Sequence, residues 1–279
     1  MMRHCKHIFL GAMICLALMP AALQGQVVSP RPRTVVKALG ECVPDTIRLR
    51  GSAQGMAIRD GRIWLLRDGG QCVVLNLRNQ QFIGSFQLPE NNSHCNNASW
   101  GADGLMLVSW CRGTKQCDAV CASDWGAAVK QRFFFDSKRF PVAHDWCCDA
   151  ESQALYIYGG RWGETLYLCR LPYPDDDRDT VRFTDKDIVG ETAIDCVSIA
   201  QGSLVWKGMA FLLDGDESAN SSLHIVSLNT GSEIQTISLS SIGQEPEGLA
   251  IAGRWLYVNF NTQDPKESKI VRFKIKGRN

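Results

Sequence analysis

A short unit of strands and turns recurs along most of this chain, and this recurrence limits the folds open to it. The unit contains short apolar runs, several of alternating polarity, separated by turn pairs such as Asp60-Gly61, Asp103-Gly104 and Asp214-Gly215. Such alternation between turn residues is typical of β-strands. Because no segment beyond the first 25 residues has a helical apolar stripe, we predict an all-β chain.

The start of the unit repeats almost literally. Gly55-Met56-Ala57, Gly208-Met209-Ala210 and Gly248-Leu249-Ala250 each lead into a further apolar run. Unit starts fall about 40 to 60 residues apart, and four strands per roughly 45 residues is the period of a β-propeller blade. The sequence therefore predicts an all-β fold, a β-propeller of five or six four-stranded blades. The sixth would be a degenerate blade within residues 148–208.

The repeated glycines have a structural interpretation. Inner strands of a propeller crowd around a narrow axis, and a residue without a side chain lets them approach one another. We therefore place the Gly-Met-Ala and Gly-Leu-Ala runs on inner strands and bulkier runs such as Ile-Trp-Leu-Leu on the strands outside them. A strand at Thr46–Leu49 is expected to complete the last blade and close the ring, which removes a free sheet edge.

The N-terminus has the layout of a secretory signal peptide. A basic start precedes an apolar run at residues 8–19, and small residues follow. We assign residues 1–25 to the signal peptide and residues 26–279 to a single propeller domain, with no transmembrane segment in the mature chain, since the apolar run is too short. The protein is thus expected to be exported to the periplasm, the cell surface or the medium.

Cysteine usage favours the same compartment. Two of the twelve cysteines lie in the signal peptide, and an even, dense set in an exported chain predicts disulfide bonds, whose connectivity the sequence leaves open. The ten that remain are Cys42, Cys72, Cys95, Cys111, Cys117, Cys121, Cys147, Cys148, Cys169 and Cys196.

The net charge and the absence of known catalytic motifs exclude several classes of function. The formal net charge is +1, which gives no basic surface for nucleic acid. The sequence contains no nucleophile elbow, phosphate-binding loop or nucleotide fingerprint. We therefore expect a binding protein without catalysis, whose partner is a small molecule, a glycan or a protein held at the axial mouth.

Residues that lead into inner strands gather at one mouth of a propeller, and a few convergent polar groups there are typical of a ligand site. Their side chains differ from unit to unit, as recognition of a specific ligand requires. His94 and His144 are also the candidates for a catalytic base. The predicted ligand-binding residues are Gln54, His94, Asn96, Asn97, His144, Asp145, Lys207 and Glu247.

The runs Gln-Gly-Met-Ala-Ile, His-Cys-Asn-Asn-Ala-Ser-Trp-Gly and Pro-Glu-Gly-Leu-Ala-Ile resemble secreted bacterial β-propellers of the TolB-like, NHL-like and gluconolactonase-like group. Lactonase-type members hold a divalent metal on the axis with Glu, Asn and Asp. The resemblance implies an alternative, a metal-dependent lactonase or esterase, with a divalent cation such as calcium on Glu247, Asn96 and Asp145. A third alternative is a structural or assembly module of the cell envelope.

Overall fold

The computed structural model describes residues 54–89, 94–110, 115–149, 151–161, 163–175, 177–216, 220–261 and 269–275. The predicted signal peptide, residues 1–25, and the predicted closing strand at Thr46–Leu49 lie outside these ranges. Within them the chain is almost entirely β-structure. Three short 3₁₀ helices are also present, at Asp68–Gly70, Asp185–Asp187 and Ser240–Ile242. No helix in the described part of the chain is both long and apolar enough to cross a membrane.

Five sheets form the blades of a propeller. From the axis outward, blade 1 contains β1 (Met56–Arg59), β2 (Arg62–Leu66), β3 (Gln71–Asn76) and β4 (Phe82–Gln87). Blade 2 begins with β5 (Cys95–Trp100), β6 (Met106–Trp110), β7 (Gln116–Ser123) and β8 (Gly126–Asp136). Blade 3 begins with β9 (Val142–Asp149), β10 (Ala154–Gly160) and β11 (Leu166–Pro172).

The chain then places β12 (Thr180–Thr184) and β13 (Gly190–Ile194) before the fourth blade. Blade 4 contains β14 (Ala200–Trp206), β15 (Met209–Asp214), β16 (Ser222–Ser227) and β17 (Glu233–Ser238). The described part of blade 5 contains β18 (Glu245–Ala252), β19 (Trp255–Asn261) and β20 (Lys269–Lys274). Neighbouring inner strands touch in the order β1, β5, β9, β14, β18 and back to β1, so they enclose the axis.

The stretch between blades 3 and 4 does not form a sixth blade. Strand β12 returns to blade 2 and pairs parallel with β8, with Thr180 opposite Arg132. Strand β13 completes blade 3 by pairing antiparallel with β11, with Ile194 opposite Leu166. The strand-like pieces of this stretch are therefore the outer edges of two blades, which settles the blade number at five.

Glycine occurs where inner strands touch. A Cβ on Gly55 would lie 2.8 Å from the backbone carbon of Asn97, and a Cβ on Gly202 would lie 2.0 Å from the carbonyl oxygen of Glu247. A Cβ on Gly248 would lie 2.7 Å from the backbone nitrogen of Met56. No side chain fits at these separations, so glycine is required in the inner strands of blades 1, 4 and 5.

The predicted placement of Gly208, the second of the three repeated glycines, on an inner strand was wrong. Lys207 and Gly208 form the turn between β14 and β15, and Met209 begins the second strand of blade 4. The inner strand is Ala200–Trp206, and its close-approach glycine is Gly202. Inner and second strands are both short, apolar and buried in this blade, so the apolar pattern alone does not tell them apart.

The core lies between the blade faces. Large aromatic side chains fill the space between blades 2 and 3, where Phe133, Phe135 and Trp146 are fully buried and their rings pack edge-on or tilted. A second large cluster joins blades 4 and 5 through residues such as Phe211 and Phe260. These contacts hold the inner strands in fixed positions around the axis.

The expected disulfide framework is not found among the eight cysteines that the structure describes, which form no disulfide with one another. Cys42 and Cys111 lie outside the described residues. Seven of the eight are on strands and most are buried, where they pack as small apolar side chains. Cys147 and Cys148, for example, are neighbours on β9 and join core clusters on opposite faces of blade 3.

Candidate functional site

The inner strands all begin at one end of the axis, which we call the N-terminal mouth, and end at the C-terminal mouth. Besides His144, which is described below, five of the predicted site residues lie at or near the beginnings of these strands and are buried. Asn97 and Asp145 have no exposed surface, and Glu247, Gln54 and Asn96 are 3%, 5% and 7% exposed. The structure therefore brings these five side chains into one polar ring inside the propeller.

Side-chain amides connect the blades in this ring. The Asn96 Nδ2 group donates to Asp145 Oδ1 at 2.5 Å and to the His144 carbonyl oxygen at 3.0 Å, which joins blades 2 and 3. The Asn97 Nδ2 group donates to the Ser203 carbonyl oxygen at 2.8 Å, which reaches blade 4. Glycine brings these backbones close, and the amides satisfy their carbonyl groups.

Burial sets the protonation of the two carboxyl groups. It raises the pKa of Asp145 to about 7, against the opposing effect of hydrogen bonds from Asn96 and Ser203. Burial, followed by the charge of Glu245, raises the pKa of Glu247 well above its usual range. Such shifts are common at functional sites, but they also occur in buried structural networks.

Two further polar groups complete the ring on the side of blades 4 and 5. Gln201 Nε2 donates to Glu245 Oε1 at 2.7 Å. Asn261 Nδ2 donates to Glu247 Oε1 at 3.4 Å. The ring is therefore a network of amides and acids, and its members bind one another across the blades.

The two histidine candidates are in different surroundings. His144 is buried beside the Tyr158 ring, with 5.9 Å between the ring centroids, and burial lowers its pKa to about 4. His144 is thus neutral at physiological pH. His94 lies at the edge of the N-terminal mouth, where its Nδ1 atom is 2.7 Å from Asp68 Oδ1.

Lys207 is at the opposite end of the axis from the other predicted residues. It lies in the turn after β14 with its Nζ atom 4.0 Å from Glu151 and 4.7 Å from the centroid of the Trp206 ring. The prediction that Lys207 leads into an inner strand is wrong, because Lys207 follows β14, whereas Gln54 and Glu247 precede or begin an inner strand.

The three residues predicted to bind a metal, Glu247, Asn96 and Asp145, lie in this ring. Asp145 and Glu247 belong to no group of three described His, Cys, Asp or Glu side chains whose donor atoms lie within 4.8 Å of one another. The third predicted ligand, Asn96, turns its amide nitrogen toward Asp145. Calcium takes six to eight oxygen ligands. Asp145 Oδ1 accepts from Asn96 and Glu247 Oε1 accepts from Asn261, whereas Asp145 Oδ2 and Asn97 Oδ1 are buried without a hydrogen-bond partner among the described residues, so the metal alternative stays a prediction.

An open cavity of about 210 Å³ lies at the C-terminal mouth. All five inner strands contribute to its wall, so it is centred on the axis. The floor consists of small and aliphatic residues such as Ala57, Ala98 and Ala250. Two tryptophans, Trp100 and Trp206, also line it.

The rim of this cavity is held in place by charged side chains. The Arg59 guanidinium lies 5.0 Å from the Trp100 ring centroid, and Lys207 lies over Trp206. These cation–π contacts fix the two rings. Of the residues that line the cavity, Asp149 and Glu151 are acidic; the Asp149 carboxylate accepts from the Glu151 backbone N–H and the Ser152 hydroxyl. Glu151 is the more exposed of the two.

A larger cavity, of about 680 Å³, lies off the axis between blades 1 and 5, where Arg62, Arg78 and Arg272 are among its lining residues. The chain before Gln54 is outside the described residues, and we assign no function to this cavity.

The cavity residues at the C-terminal mouth were missed, apart from Lys207 at its rim, because the sequence argument followed the beginnings of the inner strands. The sequence did contain a signal for this cavity. Trp100 and Trp206 each end an inner strand, and an aromatic residue at that place in two blades marks a common end of the axis.

No family model and no curated protein matches the sequence. Solved structures do match. The crystal structure of Myxococcus xanthus glutaminyl cyclase is 11% identical, with a TM-score of 0.55 over 85% of this chain and 98% of the other. A β-propeller domain of Cps50 (Swd1) from Myceliophthora thermophila is 10% identical, with a TM-score of 0.51 over 85% and 100% of the two chains.

The tail fibre of Staphylococcus aureus phage P68 is 13% identical, with a TM-score of 0.54 over 84% of this chain and 53% of the other. At these identities the likeness is one of fold alone. The five sheets of the described residues make this chain a five-bladed β-propeller, and the similarity to the Cps50 (Swd1) propeller domain supports the fold.

Proposed function

We propose that this protein is a binding module that takes one small ligand at its axial mouth, in the cavity at the C-terminal ends of the inner strands. The observation that carries the proposal is that all five inner strands line one open cavity with two tryptophans on its wall. Ligand sites are concave, mostly apolar and equipped with a few polar groups. The polar ring at the other end is buried, and its side-chain amides bond to neighbouring blades, so we assign it a supporting role.

The size and chemistry of the cavity indicate the class of ligand. A volume of about 210 Å³ is below the range of drug-sized sites, so it suits a molecule of the size of one sugar ring or one amino acid. The tryptophans offer apolar surface, and the Glu151 carboxylate accepts hydrogen bonds. The ligand would therefore have an apolar ring face and an ammonium or hydroxyl group.

Export of the protein remains a proposal that rests on the apolar segment at residues 8–19. An exported protein of this kind would meet glycan ends and free metabolites. Binding of a larger glycan or a protein at the same mouth would use the same tryptophans as its anchor points.

A binding screen with matched variants tests the proposal. Saturation-transfer NMR against methyl glycosides and small cyclic amines would identify a ligand, and calorimetry would give its affinity. Glu151→Gln, in an exposed turn, and Trp206→Ala should each weaken binding about tenfold, which corresponds to roughly 1.4 kcal/mol. Trp125→Ala changes an exposed tryptophan of blade 2, so it should leave the affinity unchanged.

The proposal is wrong if both cavity variants bind a ligand found in the screen as tightly as the unaltered protein. It is also wrong if Trp125→Ala is the variant that loses binding, since that would move the site to the outer face of blade 2.

A further inference from the structure

A cluster of metal-binding side chains lies away from the axis. Cys196 is in the segment that joins blade 3 to blade 4, His224 is on β16, and Glu233 begins β17. One donor atom from each lies within 4.8 Å of the others. Cys196 and His224 are 28 positions apart in the sequence, and His224 and Glu233 are 9 positions apart, so the fold brings them together.

The histidine ring has a carboxylate near each of its nitrogens. Its Nδ1 atom lies 2.5 Å from Glu233 Oε1, and its Nε2 atom lies 3.5 Å from Asp214 Oδ2. Asp214 is itself fixed, because its Oδ1 atom accepts the backbone N–H groups of Ser198 and Ile199 at 3.1 and 2.7 Å. A carboxylate behind a histidine ring is the usual way in which proteins orient a metal-bound imidazole.

We propose that Cys196, His224 and Glu233 bind a zinc ion, with Asp214 as the residue that positions the imidazole. Sulfur, nitrogen and oxygen donors in one small set are the combination that zinc accepts in its tetrahedral sites. Three protein ligands leave the fourth position to water.

Zinc binding requires a small movement of the Glu233 carboxylate away from His224. Bonds of about 2.0–2.1 Å around tetrahedral zinc separate a nitrogen and an oxygen ligand by about 3.3 Å. Glu233 therefore withdraws from His224 by less than about 1 Å. The Glu233 side chain is 36% exposed and Cys196 is half-buried, so the carboxylate has room to move and the ion has a path from solvent.

A proton on His224 competes with zinc for the imidazole nitrogen. Burial lowers the pKa of His224, but hydrogen bonds to Asp214, Cys196 and Glu233 outweigh burial and raise that pKa to about 10. A protonated histidine between two carboxylates would be a purely structural ion-pair cluster, and the experiment must distinguish it from a zinc site.

Zinc titration of the purified protein against a chromogenic chelator provides that distinction. We expect one zinc ion per chain, with an affinity that falls more than about 100-fold in Cys196→Ser and in Glu233→Gln. Asp214→Asn should lower the affinity about 10- to 100-fold, the range for residues that orient a ligand. Cys121→Ser and His94→Gln are matched controls, at an exposed thiol and a histidine elsewhere, and should not change it.

Cobalt substitution gives a second readout. Bound Co²⁺ should show a thiolate charge-transfer band that disappears in Cys196→Ser and persists in Cys121→Ser. The proposal is overturned if the unaltered protein binds zinc no more tightly than Cys196→Ser and Glu233→Gln, or if bound cobalt shows no thiolate band. Either result leaves His224 as the centre of an ion-pair cluster. Glu233 lies at the exposed start of β17, so Glu233→Gln is expected to fold. This variant therefore still tests the proposal if Cys196→Ser does not fold.

Discussion

Replacing Asp145 by asparagine should make the protein more stable, and increasingly so as the pH rises. The Asp145 side chain has no exposed surface, and burial raises its pKa to about 7. Asparagine has nearly the shape of the neutral acid, and its carbonyl oxygen can still accept from Asn96. The substitution therefore removes the cost of ionising a buried group and keeps the contacts of the neutral form.

The magnitude follows from the two pKa values. The ordinary value is 3.8, so the folded state holds the proton over about three pH units in which the unfolded chain has lost it. At about 1.36 kcal/mol per unit, ionisation of Asp145 costs roughly 4 kcal/mol of folding free energy once the pH exceeds 7. About 1–2 kcal/mol of this is already lost at pH 5, so roughly 3 kcal/mol is lost between pH 5 and pH 8.5.

The direction of the pH effect on stability follows from the raised pKa of Asp145. Stability from the proton on Asp145 is complete below about pH 3.8 and is lost as the pH rises through about 7. Urea unfolding of both proteins at pH 5 and pH 8.5 measures the effect. The advantage of Asp145→Asn should grow by roughly 3 kcal/mol between the two pH values. Asp136→Asn removes a carboxylate from an exposed pair with Arg182. It should change the free energy of unfolding by less than about 1 kcal/mol.

Two results would refute this reasoning. If the advantage of Asp145→Asn is the same at both pH values, Asp145 ionises as an ordinary carboxyl group. If the variant becomes less stable than the unaltered protein at pH 8.5, the charged form of Asp145 is the one that the fold uses, and a cation in the polar ring would be the first explanation to examine.

Two other predictions concern the axis and the N-terminus. Gly202→Ala should destabilise the protein by more than about 3 kcal/mol or prevent folding, because its Cβ would lie 2.0 Å from the Glu247 carbonyl oxygen. Gly126→Ala, whose Cβ would come no closer than 3.9 Å to other atoms, is the control for calorimetric melting. For export, expression in a bacterial host followed by cell fractionation should yield a chain shortened near residue 25 outside the cytoplasm, and full-length cytoplasmic protein would contradict it.

The sequence was sufficient to predict the propeller because the fold is repetitive. Turn pairs and alternating strands recur in every blade, and Gly55 and Gly248 mark two of the inner strands directly. The number of blades was harder to predict from the sequence. Strand β12 pairs with blade 2 although it follows three strands of blade 3, and this long-range pairing leaves no local mark in the sequence.

The site was predicted only in part. Asn96, Asp145 and Glu247 do come together, since residues that begin inner strands must meet at one mouth. Their burial depends on how closely five backbones approach, which the glycines permit but do not specify. Cys196 and His224 meet only through the packing of blade 3 against blade 4, and neither residue lies in a motif that would have revealed the pair.

Amide chemical shifts in the presence of a ligand test the central claim most directly, because they show which end of the axis binds it. With the isotope-labelled protein and a ligand from the screen, the largest shifts should fall at the ends of the inner strands, at residues such as Ala57, Trp100 and Trp206. Shifts concentrated instead at Asn96 and Glu247, where the strands begin, would show that the ligand binds in the polar ring and would contradict the account.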